Sequence, residues 1–87
     1  MDLNKIGKFI SEERKKKNYT QKQLADILNV SDRTISKWEC GKGFPEVSLL
    51  QPLSKALGIS VNELLTGERL DKENYMKKAE EKMVHLV

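Results

Sequence analysis

Arg33 and Lys37 stand four residues apart, with Ser31, Asp32 and Ser36 beside them. Side chains at that spacing share one face of a helix, so the two cations would project together from successive turns. Their chemistry suits a base edge. A guanidinium donates two parallel hydrogen bonds to O6 and N7 of guanine, and an ammonium can approach the same acceptors. Serine hydroxyls donate or accept, and a carboxylate such as Asp32 accepts from the amino group of cytosine. Asp32 also has a role that needs no partner, because negative charge is favoured in the first turn of a helix. Any one exposed Lys or Arg is ordinarily a solvated charge. The unusual feature is the polarity of the whole stretch: from Ser31 to Glu39 only Ile35 and Trp38 are apolar. A helix this polar contributes little to a core.

Other chemistries lack their residues. The single histidine, His85, lies near the end of the chain, and the single cysteine is Cys40. No paired His/Cys spacing offers a metal site, and no Ser or Cys has an identifiable base partner. No glycine-rich loop follows a strand. An enzyme is therefore not expected, and neither a metal nor a cofactor is implied. Cys40 cannot form an internal disulfide, which fits a reducing compartment. At a helix end it is ordinarily inert. No run approaches the roughly 20 apolar residues of a membrane span. Lys5 and Lys8 interrupt the first apolar residues, against an export signal. The expected location is the cytoplasm.

The net charge of +3 is unevenly spread. From Arg14 to Lys42 there are eight basic residues against three acidic ones, whereas Glu68 to Val87 is balanced. The positive charge sits where the polar stretch sits, as a polyanionic partner would require.

Five short helices must position these residues. Leu3, Ile6, Phe9 and Ile10 keep the three-and-four spacing of a first helix that starts at Asp2 or Asn4 and stops at Asn18. Thr20 with Gln23 forms a capping box for a second helix, about 21–28, with Leu24, Ala25, Ile27 and Leu28 inward. Asn29 is a left-handed stop, and Val30-Ser31 repeats the entry pattern for a third helix, about 32–39, ended by Gly41. Ser48 with Gln51 predicts a fourth helix over about 49–57, with Pro52 near its first turn, and Gly58 ends it. Ser60 with Glu63 caps a fifth, closed by Gly67. No strand-like alternation appears, so the fold class is all-α.

Three or four residues join the second and third helices, the spacing of a helix-turn-helix. On a wheel of about 100° per residue, Ile35 and Trp38 face inward with Ser31 and Thr34. Arg33, Lys37, Cys40 and Ser36 face outward.

The stretch TQKQLADILNVSDRTISKWECGKGFP, followed by LLQPLSKALGISVNELLTG, resembles the phage repressor/Cro-like helix-turn-helix, or XRE, family. The resemblance implies a five-helix bundle that binds operator DNA as a transcriptional regulator. It implies that Gln21 touches the phosphate backbone from the start of the second helix. Ser31, Asp32, Arg33 and Lys37 fall where such proteins meet bases or nearby phosphates, and Lys42 and Gly43 fall in a loop that follows the backbone. Arg14 and Glu39 match positions that commonly pair as a structural salt bridge. One short helix reads few base pairs, so a homodimer on a (pseudo)palindromic operator is expected.

Residues 68–87 differ from the helix-turn-helix domain over 1–67. Met76, Ala79 and Met83, with Leu86 or Val87, fall on one stripe of a C-terminal amphipathic helix. That tail suits dimerisation, a partner protein, or the stump of a longer chain. An antitoxin-type protein-binding module that also binds operator DNA is the alternative function.

Overall fold

The computed structural model describes residues 1–70. The expected tail helix lies outside the described residues. Five helices follow in order: α1 Leu3–Lys16, α2 Gln21–Leu28, α3 Asp32–Glu39, α4 Val47–Leu57 and α5 Val61–Thr66. No strand occurs among the described residues.

Three of the four connections are built from one short module. Asn18-Tyr19-Thr20, Asn29-Val30-Ser31 and Gly58-Ile59-Ser60 each place a left-handed residue, an apolar residue and a hydroxyl cap in succession. The left-handed residue (φ 61°, 57° and 67°) turns the chain out of one helix. The apolar residue then donates its N–H back to a carbonyl five residues earlier, at 3.2, 2.9 and 3.0 Å, which satisfies an orphaned helix-end acceptor. The hydroxyl accepts an N–H from the first turn of the next helix: Thr20 from Gln23, Ser31 from Thr34, Ser60 from Glu63. Asn can stand for Gly in the first two because it tolerates the left-handed region better than other L residues.

The fourth connection, 40–46, departs from this module, and so does the helix it leads to. α4 starts at Val47, two residues before the predicted start, and its cap residue Glu46 makes no side-chain cap hydrogen bond. The Ser48–Gln51 capping box is therefore not used. Pro45 is buried, and Leu49 and Leu50 pack against the core, so packing rather than a hydroxyl fixes where this helix begins. Pro52 consequently lies in the second turn rather than the first. It has no N–H to offer the Ser48 carbonyl, and both residues are exposed, so water can satisfy that acceptor.

The core gathers Ile6, Phe9 and Ile10 of α1, Leu24, Ala25 and Leu28 of α2, and Ile35 and Trp38 of α3. Leu53 and Leu57 of α4, Ile59, and Leu64 of α5 complete it. Ile27 is not part of it: it is 51% exposed. The buried wedge of α2 is centred between Leu24, Ala25 and Leu28, and Ile27 lies about 100° round the helix from that centre. Beyond α5 the chain is fastened to α1. Arg69 donates to buried Glu13 at 2.8 Å, Lys5 meets Glu68 at 3.3 Å, and Leu70 donates its N–H to Glu63 at 2.7 Å. No helix among the described residues is long and apolar enough to cross a membrane.

Candidate nucleic-acid interface

The inner side of α3 is anchored by Ile35, with no exposed surface, and Trp38, 5% exposed. Its C-terminal end is also gripped by charge. The Arg14 guanidinium donates from Nε to Glu39 at 2.7 Å and from a terminal nitrogen to the other carboxylate oxygen at 3.1 Å. Its remaining terminal nitrogen donates to the Tyr19 carbonyl at 2.8 Å. Gln21 donates from Nε2 to Glu39 at 3.0 Å. The Arg14 and Glu39 side chains are 10% and 7% exposed, so this pair is shielded from solvent. One carboxylate on α3 thus collects two donors from α1 and one from α2. The rotation of α3 about its own axis is fixed by it.

With that side held, Asp32, Arg33, Lys37 and Cys40 are exposed. Arg33, Thr34, Ser36, Lys37, Cys40 and Lys42 border a shallow depression that Ser31 also lines. Ser36 is half-buried at its wall rather than fully outward. Ser31 is occupied as the cap of α3, and its hydroxyl also bonds to that of Thr34 at 3.0 Å. Among the described residues, the heads of Arg33, Lys37 and Lys42 make no ion pair or hydrogen bond. Gly43 follows Lys42 in the loop and is half-buried. A Cβ there would meet only Trp38 Cδ1, at 3.8 Å, and its φ is not positive, so nothing inside the protein demands a glycine.

Gln21 is half-buried, and one of its two amide N–H groups is taken by Glu39, which leaves the other. The Arg14–Glu39 pair is the one that the resemblance implied, whereas the Gln21–Glu39 bond and the close approach of α1 to α3 at Gly7 have no local sequence pattern. No group of His, Cys, Asp and Glu among the described residues is arranged to hold a metal ion.

Two capped helices joined by a three-residue turn, the second presenting a cationic face, are matched by a known pattern. A family model described as helix-turn-helix matches residues 10–64. The chain belongs to this helix-turn-helix family, of the phage-repressor type. As a helix-turn-helix protein it has relatives of known role. The HTH-type transcriptional activator BcrR of Enterococcus faecalis is 52% identical over 54 residues, 62% of this chain and 26% of that protein. The cryptic phage CTXphi transcriptional repressor RstR of Vibrio cholerae is 38% identical over 60 residues, 69% of this chain and 54% of that protein. The chain therefore spans about a quarter of the one and about half of the other. Among solved structures, the DNA-binding domain of the P22 c2 repressor superposes with a TM-score of 0.67 at 37% identity, over 75% of this chain and 86% of that one.

Proposed function

We propose that this helix-turn-helix protein binds double-stranded DNA sequence-specifically and regulates transcription by inserting α3 into the major groove. The observation that carries the proposal is the outward face of α3: exposed cations with unengaged heads, on a helix whose other side is locked to the core. Arg33 and Lys37 reach base edges, with Ser31, Asp32 and Ser36 beside them. Lys42 meets a phosphate, and the second N–H of Gln21 meets another from the start of α2. Gly43 allows the loop backbone to come close to the duplex, which supplies the reason that the protein interior does not.

An eight-residue helix is about 12 Å long and reads only a few base pairs. Two copies on half-sites about 34–36 Å apart give a usable site, so the operator is (pseudo)palindromic and the protein acts as a homodimer in the cytoplasm. Sedimentation with and without duplex tests this part; a single copy per bound duplex refutes it. We take the role as repression, because occupying an operator needs only the surface described and RstR is named a repressor. BcrR, named an activator, is the relative of which this chain spans the smaller share.

Selection of duplexes from a random pool tests the function. Recovery of a consensus with two-fold symmetry is expected; a pool that stays random overturns sequence-specific binding.

A further inference from the structure

We propose that Gly7 is a positioning residue for DNA recognition: the bare backbone of α1 at this point sets where α3, and with it Arg33 and Lys37, stands against the duplex. The proposal rests on the DNA-binding function above. Gly7 is buried in the middle of α1, and its φ is not positive, so its own backbone does not call for glycine. Glycine is moreover a poor helix former. The demand comes from across the interface. A Cβ on Gly7 would overlap the carbonyl oxygen of Trp38 and lie 2.8 Å from that of Glu39 and 3.0 Å from the Glu39 carbonyl carbon. All three are backbone atoms, so no side-chain rotation relieves the overlap, and α1 and α3 must part.

The other fasteners at this end of α3 are of a different kind. Arg14 and Gln21 hold the Glu39 carboxylate through side chains, whose torsions adjust to a new separation. Just past α3, Gly41 also comes close to α1: a Cβ there would meet the Asn4 side chain and lie 3.1 Å from Asn4 Cα. The contact at Gly7 lies within α3 itself and is backbone against backbone. It fixes the distance while the Arg14 and Gln21 side chains fix the rotation. A displacement of one end of a helix as short as α3 tilts its whole outer face, and site geometry tolerates only about 0.5 Å.

The test compares the full chain with its Gly7→Ala variant. Trp38 is the only tryptophan, and its carbonyl is at the contact, so its emission reports the displacement without DNA. Binding is then measured to the duplex recovered by selection and to a scrambled duplex, each across a range of salt. Gly58→Ala is the control for lost stability. Its φ of +67° disfavours alanine, and its Cβ would meet only the end of the Lys17 side chain, so it does not press on the backbone of α1.

We expect Gly7→Ala to shift Trp38 emission and to lose about tenfold in the ratio of specific to scrambled binding. Scrambled binding and its salt slope should be unchanged, and Gly58→Ala should keep the wild-type ratio. A folded Gly7→Ala chain with the wild-type ratio overturns the proposal, as does an equal loss on both duplexes or an equal loss of ratio in Gly58→Ala. If Gly7→Ala is unfolded, the comparison is made in trimethylamine N-oxide, which favours the folded state; a chain that it does not refold also overturns the proposal. Wild-type chain that binds no duplex refutes the DNA-binding function instead, and the emission shift is then read separately.

Discussion

Arg33 and Lys42 carry like charge on one face, yet they should fail differently when truncated. If α3 reads DNA as proposed, Arg33→Ala removes a base contact, so it should cost about 1–3 kcal/mol on the preferred duplex and relax discrimination at one base pair. Lys42→Ala, on the same proposal, removes a phosphate contact. It should weaken all duplexes alike and reduce the salt slope by about one. Anisotropy titrations against duplexes differing at single positions, at several salt concentrations, separate the two. Equal behaviour of the variants would remove the distinction between reading and tracking. Glu39 is proposed for neither group, because its carboxylate is taken up by Arg14 and Gln21 and holds α3. Glu39→Ala leaves the shielded Arg14 guanidinium without its carboxylate, and losing one partner of a buried pair costs about 3–5 kcal/mol. Urea unfolding should show that loss before any binding is measured. The cations of α3 were legible in the sequence because they make a helix too polar for a core. The Gln21–Glu39 bond and the Gly7 contact were not, since they join residues 18 and more than 30 positions apart and leave no local period.

At the scale of elements, the repeated left-handed/apolar/hydroxyl module explains why helices of only 6–14 residues have defined ends. Isolated helices this short are marginal, so their caps and their buried faces must supply the stability. Thr20→Ala removes the hydroxyl half of the α2 capping box, and should cost about 1 kcal/mol in a urea or thermal melt. A variant as stable as wild type would mean that packing alone fixes this turn. The ends of α1, α2, α3 and α5 were readable because caps and stops are local chemistry. The start of α4 was not. Ser48 had the right type and spacing for a cap, but the buried Pro45 and the packing of Leu49 and Leu50 set the boundary from outside the segment. Ile27 misled for a related reason: a helical period gives the direction of the buried face but not its width.

The bundle of described residues is closed by residues 68–70, and the Glu63 carboxylate that receives Leu70 should make that closure sensitive to pH. Burial makes the Glu63 carboxylate harder to ionise, but N–H donation from Ser60 and Leu70, the Ser60 hydroxyl and the charge of Arg69 outweigh burial. The folded pKa therefore lies below the ordinary carboxylate value. A lowered folded pKa means that the unfolded chain takes up the proton first as pH falls. The stability contributed by Glu63 is thus complete above the ordinary carboxylate range and is lost as pH falls through that range and then through the folded pKa. Melts across pH should show it, and Glu63→Gln should be less stable at neutral pH with a flatter acid limb. An unaltered acid limb would mean that Glu63 does not govern the closure. At the other end of the bundle, the burial of Ile35 and Trp38 and the hold on Glu39 leave the Arg33–Lys37 face of α3 outward, and on that the functional account depends. Its most direct test is the retention of a labelled duplex from the selection by wild-type chain and by the Arg33→Ala/Lys37→Ala variant, at modest ionic strength. The account predicts that the variant melts like wild type, still binds weakly through its phosphate contacts, and no longer distinguishes the selected duplex from a scrambled one. A variant that discriminates as well as wild type would contradict it.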